Sequence, residues 1–269
     1  MSRARVIPAL ALGSLVLWAS RFEIVAAYLL VLGLFAAVAG GEVYRLLLQA
    51  GHRPGWPLGI GLAVALAADA AITGWRLAPH LVIGVGLAAL LWVTFRRDRQ
   101  DGLVDWALTV VPALYVGGTL GYYVWLRALP GGAYWVPVVL GCTWAADTAA
   151  YFCGRRWGRT KLAPALSPGK SVEGAVAGIA AAVALAGLVG AVVPAPFGGV
   201  GGLLGLGLLV AVAGIVGDLA ESFVKRQVGA KDSSALLLGH GGLLDRIDSL
   251  LAAGMVAYWY LLALGRVTD

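Results

Sequence analysis

Apolar runs recur along the whole chain, most of them close to the roughly 20 residues that an α-helix needs to cross the hydrocarbon core of a bilayer. In that solvent every backbone N–H and C=O must be paired inside the structure, which leaves only helices and closed barrels. The short alternating segments of a barrel are missing. The sequence therefore predicts an all-α, polytopic integral membrane protein. With 60% hydrophobic and only 13% charged residues, against about a quarter charged in a soluble domain, a water-soluble globular fold is excluded. The 39 glycines would weaken helices in water, but in a bilayer small residues let helix backbones approach one another. They read as packing residues.

Cutting the chain at charged or Pro/Gly-rich breaks predicts about nine spans, at 6–20, 24–44, 57–75, 80–95, 103–126, 133–153, 174–193, 199–224 and 244–265. They form one continuous membrane unit, with N-terminal helices over 1–102 and, over 103–269, the helices and loops that hold most of the candidate functional residues described below. The segment after MSRAR has the basic start and apolar stretch of a secretory signal. No convincing Ala-x-Ala site follows, and the next apolar run begins after only Arg21 to Glu23, so an uncleaved first helix is expected. Trp56, Trp75, Trp125, Trp135 and Trp157 lie near span ends, as interfacial anchors do.

Nine spans put the termini on opposite sides. A cytoplasmic N-terminus places every Lys and Arg except Arg21, Arg76, Arg127 and Arg266 on the cytoplasmic side, the arrangement that the positive-inside rule favours. The net charge of +6 is spread over loops rather than gathered in a soluble basic patch, so nucleic acid is not expected as a partner. Cys142 and Cys153 have no Cys-x-x-Cys spacing and read as small buried residues rather than a disulfide or zinc site.

Acidic residues at membrane depth are costly and usually face a cavity or a partner. Asp147 lies near the end of the sixth span, Asp218 and Glu221 near the end of the eighth, and Asp245 and Asp248 at the start of the ninth. Asp218, Glu221, Ser222 and Lys225 follow the spacing that shares one helix face, and Asp245, Asp248 and Ser249 repeat it on the next helix. Several carboxylate oxygens brought together suit a hard divalent cation such as Mg²⁺, which leaves coordination positions to water and substrate phosphates. The alternative is simple pairing of Asp245 and Asp248 with Lys225, Arg226 or Arg246 at the membrane surface. The loop VKRQVGAKDSSALLLGHGG adds Lys225, Arg226, Lys231, His240, Gly241 and Gly242, a mixture of cations and glycines suited to a polyphosphate. A second basic loop, GRRWGRTKLAPALSPGKSVEG, offers Arg155, Lys161, Ser167, Lys170 and Ser171.

The stretch SFVKRQVGAKDSSALLLGHGGLLDRID, from Ser222 to Asp248, closely resembles the signature of the phosphatidate cytidylyltransferase (CDP-diacylglycerol synthase) family. The matching positions are Ser222, Lys225, Arg226, Lys231, Asp232, His240, Gly241, Gly242, Asp245, Arg246 and Asp248. The segments Ser167-Pro-x-Lys170-Ser171-x-Glu173-Gly and Asp147-Thr-Ala-Ala-Tyr151 also resemble the family. The resemblance is dense over 147–249 and general before that, where the Glu42-x-Tyr44-Arg45 stretch is compatible with it. Two positions depart from the family pattern: Ser234 stands where glycine is usual, and Leu238 where proline is common. Both point to altered loop rigidity rather than altered chemistry.

The resemblance implies attack by a phosphatidate oxygen on the α-phosphorus of CTP, giving CDP-diacylglycerol and pyrophosphate. It implies a catalytic set of Asp218, Ser222, Lys225, Arg226, Lys231, His240, Asp245, Arg246 and Asp248, with Asp218, Asp245 and Asp248 holding Mg²⁺ and a second cation compatible with the reaction. Asp147, Lys170, Ser171, Glu173, Gly241 and Gly242 join Lys225, Arg226 and Lys231 in binding substrate. His240 is expected in phosphate binding or loop structure, since a phosphate nucleophile is already anionic near neutral pH. A homodimer in a bacterial inner membrane, with its active site toward the cytoplasm, is also implied. The rival class is an ion- or proton-coupled transporter using acids such as Asp69 and Asp147. A CDP-alcohol phosphotransferase is disfavoured, because its Asp-x-x-Asp-Gly-x-x-Ala-Arg pattern does not occur.

Overall fold

The computed structural model describes residues 25–96, 101–193, 200–234 and 241–265. The described chain is almost wholly helical. Its helices are α1 (Val25–Gln49), α2 (Trp56–Ile72), α3 (Ala78–Phe95), α4 (Gly102–Ala113), α5 (Thr119–Ala128), α6 (Gly132–Trp157), α7 (Val172–Val192), α8 (Val200–Gln227) and α9 (Leu244–Ala263). A π-helical turn at Leu114–Gly118 joins α4 to α5. Six helical stretches among the described residues are long and apolar enough to cross a membrane: Ala26–Gln49, Ala78–Phe95, Gly102–Ala128, Gly132–Trp157, Val172–Val192 and Val200–Gln227. Helix α2 is apolar but shorter, and α9 carries Asp245, Arg246 and Asp248 in its first turns. The first expected span, 6–20, lies outside the described residues.

Several helices run past the breaks expected from charge. Helix α1 continues beyond Arg45 to Gln49, α6 beyond Arg155 and Arg156 to Trp157, and α8 beyond Lys225 and Arg226 to Gln227. Charge marks where apolar surroundings end, not where a helix must end, and cations in a last turn are favoured by the helix dipole. The π-helical turn follows Pro112, which has no N–H to donate to the preceding turn. The second basic loop also differs from expectation, since it contains an antiparallel hairpin of β1 (Lys161–Ala163) and β2 (Ser167–Ser171). Pro168 and Gly169 mask any strand pattern there.

The chain divides into two compact units. The first holds the described residues up to Trp125 together with Lys225–Arg246; the second holds Leu126–Val224 and the chain from Ile247 onward. In the first unit α1 packs on α2 and α3 on α4, and the polar ends are tied by one buried carboxylate. Asp105, 2% exposed in its side chain, pairs with Arg96 at 2.8 Å and accepts the Arg53 N–H at 2.7 Å. Tyr44 donates to the Thr109 carbonyl at 2.7 Å, and the Gly55 N–H donates to Thr109 Oγ1 at 2.8 Å.

In the second unit a seam of small buried residues on α7, namely Gly174, Gly178, Ala182, Ala186 and Gly190, recurs every fourth position. A Cβ on Gly174 would lie 2.8 Å from the Ala150 carbonyl of α6, and one on Gly207 of α8 would lie 2.7 Å from the Ala182 carbonyl. These close backbone approaches are what the glycine-rich composition predicts. Trp135 departs from the anchoring role expected of it: it is 3% exposed, and its indole donates to the Pro130 carbonyl. Trp56 and Trp157 are exposed.

Candidate active site

Helices α8 and α9 carry the acids that the spacing singled out. In the second unit Asp218, Glu221 and Asp248 each offer a carboxylate oxygen, all within 4.8 Å of one another. Asp218 and Glu221 are one turn apart on α8, and Asp248 reaches them from α9 because the two backbones come close at Gly217. A Cβ there would lie 2.7 Å from the Asp248 carbonyl and 3.0 Å from Ala252 Cβ. Glu221 and Asp248 are buried, while Asp218 is half-buried. Asp248 Oδ1 accepts from the Ser249 N–H at 2.6 Å, which fixes its orientation. Asp218 Oδ2 pairs with Lys170 at 2.7 Å, and Ser222 Oγ donates to Asp218 Oδ1 at 3.4 Å. A hard, all-oxygen donor set of this size fits a divalent cation.

The hairpin presents Lys170 to Asp218 through local bonds around it. Ser171 Oγ accepts the Gly174 N–H at 3.1 Å and so caps α7. Both oxygens of Glu173 accept the Thr160 N–H, at 3.0 and 3.2 Å, closing the base of the hairpin. Asp147 lies well inside α6 and is exposed.

A second constellation lies in the first unit. Lys225 donates to Asp245 Oδ1 at 2.6 Å, with side-chain exposures of 11% and 14%. Asp245 Oδ2 accepts the N–H groups of Ser233 (2.9 Å) and Gly242 (2.8 Å) and lies 2.9 Å from Ser233 Oγ. Arg226 donates to the Ala230 carbonyl at 2.8 Å, closing the turn that ends α8 at Gly229, whose φ is +69°. Lys231 and Asp232 are exposed. Behind this turn Glu42, 2% exposed on α1, accepts from Ser233, Ser234 and the N–H groups of Leu243 and Leu244.

The sequence profile described as "Cytidylyltransferase family" matches residues 3–264. The chain belongs to the cytidylyltransferase family. Proteins named phosphatidate cytidylyltransferase are similar to it. One from Brucella suis is 50% identical over 131 residues, covering 49% of this chain and 48% of that protein. One from Haemophilus influenzae is 37% identical over 206 residues, covering 72% and 68%. One from Synechocystis is 30% identical over 288 residues, covering 95% and 93%. The chain spans about half the length of the Brucella relatives it matches.

Within this cytidylyltransferase-family chain, the structure brings Asp218 and Asp248 together with Glu221, which the spacing had placed on the same face as Asp218. Asp245, expected as a cation ligand beside them, belongs to the other unit, where both its oxygens are engaged by Lys225, Ser233 and Gly242. The Gly242 N–H, expected to face a substrate phosphate, donates to the Asp245 carboxylate. His240 and Leu238 lie outside the described residues. Asp69, the acid behind the transporter alternative, accepts from Thr73 Oγ1 at 2.5 Å in the last turn of α2. Glu42 was not singled out by spacing. The available signal was its position as the one acid in the apolar run of 24–44 that also reaches the family-like segment.

Proposed function

We propose that this chain is a phosphatidate cytidylyltransferase, joining CTP and phosphatidic acid to give CDP-diacylglycerol and pyrophosphate. The observation that carries the reading is the cluster of Asp218, Glu221 and Asp248, with carboxylate oxygens within 4.8 Å, in a chain of the cytidylyltransferase family. The names of the relatives support phosphatidate as the acceptor.

In this reaction a phosphate oxygen of phosphatidate attacks the α-phosphorus of CTP. A new P–O bond forms there, and the bond to the oxygen bridging the α- and β-phosphorus breaks as pyrophosphate leaves. Such transfers depend mainly on positioning and on neutralising phosphate charge, so no covalent nucleophile from the protein is required. Asp218, Glu221 and Asp248 would hold Mg²⁺, which when bound supplies charge neutralisation at the phosphates and a lower barrier to loss of pyrophosphate. Lys170 supplies a cation beside Asp218. Lys225, Arg226, Lys231 and Arg246 neutralise phosphate oxygens. Asp245 keeps Lys225 ordered and the first turn of α9 in place. The lipid headgroup lies at the membrane interface and CTP in the cytosol, which suits polar helix ends. We place these ends on the cytoplasmic side of a bacterial inner membrane, in an N-in, C-out chain of about nine spans acting as a homodimer.

A purified assay offering CTP against the other nucleoside triphosphates, with phosphatidate or other lipid phosphates and with or without Mg²⁺, tests the proposal. CTP- and phosphatidate-dependent turnover that needs the cation is expected. Solute transport with no nucleotide turnover would reject it.

A further inference from the structure

Helix α9 starts at Leu244, and the three residues before it, Gly241, Gly242 and Leu243, carry no side-chain acceptor for its first N–H groups. The first N–H groups of a helix have no partner within it, and leaving them buried and unsatisfied is costly. Here the acceptor comes from far away in sequence. Glu42 Oε1 accepts the Leu243 N–H at 3.0 Å and Oε2 the Leu244 N–H at 2.7 Å. The same carboxylate receives Ser234 Oγ at 2.7 Å and lies 3.1 Å from Ser233 Oγ. Ser233 Oγ is also 2.9 Å from Asp245 Oδ2. A hydroxyl has one proton, so it serves one carboxylate at a time and couples the two acids. A negative charge at a helix N-terminus is further favoured by the helix dipole.

Gly242 supports the same reading independently. A Cβ there would run into Ser233 Oγ and both Glu42 oxygens, so the backbone approaches the carboxylate as closely as it can.

We propose that Glu42 is a positioning residue for the cytidylyl-transfer reaction. Through Ser233, Ser234 and the N–H groups of Leu243 and Leu244 it fixes the turn after α8 and the helix start that presents Asp245 and Arg246. The inference rests on the function proposed above for its kinetic half. Its structural half, that Glu42 holds this turn, stands without it.

The test uses the full chain, purified in detergent and reconstituted with phosphatidate, as wild type and as Glu42→Gln. The glutamine keeps the shape of the side chain but replaces one acceptor oxygen with a donor. Hydrogen exchange should accelerate at least ~10-fold in peptides covering Ser233 and Leu243–Leu244 and stay unchanged in Gly132–Trp157. The KM for CTP should rise at least ~10-fold while that for phosphatidate stays within about threefold. A merely structural role would reduce the active fraction, and hence the apparent kcat, without moving either KM.

Unchanged exchange in those peptides, or a loss confined to kcat, overturns the proposal. Should Glu42→Gln not fold, Ser234→Ala removes one donor without stranding a charge. It should raise the CTP KM about threefold and accelerate exchange at Leu243–Leu244, and no change in either would equally overturn the proposal. If the wild type turns over no CTP, the activity reading falls, and the exchange measurement alone decides whether Glu42 holds the turn.

Discussion

Replacing Lys225 with methionine isolates the ion pair in the first unit. Its partner, Asp245, accepts from Lys225 at 2.6 Å and from the N–H groups of Ser233 and Gly242. Both side chains are largely shielded, at 11% and 14% exposure. Removing one partner of a well-buried pair costs roughly 3–5 kcal/mol, mostly because the other charge is stranded. The residual exposure puts Lys225→Met at the lower end, ~3 kcal/mol. For a chain of this size that corresponds to a fall in Tm of roughly 6–10 °C.

The assay is thermal unfolding in one detergent from pH 8 down to pH 3. The penalty for losing Lys225 comes from the charge left on Asp245, so it is present only while that carboxyl is ionised. The gap between wild type and variant should therefore be widest near neutral pH and narrow as acid protonates the stranded carboxylate of the variant. Lys231→Met, at an exposed position, serves as the control and should move Tm by less than about 2 °C. A Lys225→Met Tm within 1 °C of wild type at pH 7, or a gap that widens with acid, would refute the reasoning.

Other consequences follow from the same geometry. Gly217→Ala places a methyl against the Asp248 carbonyl and Ala252. It should raise the Mg²⁺ concentration for half-maximal turnover several-fold while the protein stays folded, as read by a cation titration. Asp248→Asn removes a charge from the acidic cluster and should lower turnover at least ~100-fold at saturating Mg²⁺, with membrane insertion intact. Near wild-type activity would remove Asp248 from cation binding. Gly242→Ala should damage the turn about as much as Glu42→Gln does, seen as faster exchange at Ser233. Asp105→Asn breaks the buried pair with Arg96 and should cost ~2–4 kcal/mol of stability while leaving the KM for CTP within twofold.

Much of this was legible in the sequence for a definite physical reason. Apolar runs locate helices because the bilayer forbids unpaired backbone, and the small residues at every fourth position of α7 do become the close contacts that composition suggested. The three-residue spacing of Asp218 and Glu221 fixes their shared face, and Asp248 on the next helix completes the cluster. What local spacing could not show is how Asp245, one turn before Asp248 on α9, is held: Lys225 and the turn at Ser233 engage it through hydrogen bonds that helix periodicity does not encode. Nor could it reveal Glu42, whose partners are 191 to 202 residues away. Charge-based cuts shortened α1, α6 and α8, because a helix continues past the edge of its apolar surroundings. The hairpin at Lys161–Ser171 was hidden by proline, glycine and scattered cations.

Following the two ends of the CTP triphosphate tests the central claim most directly. The purified chain is incubated with phosphatidate, Mg²⁺ and CTP labelled at either the α- or the γ-phosphorus. Cytidylyl transfer predicts that the α-label enters the lipid fraction in a one-to-one ratio with γ-label released as pyrophosphate, and that both require phosphatidate and the cation. Retention of the α-label in water-soluble nucleotide, or entry of the γ-label into lipid, would contradict it.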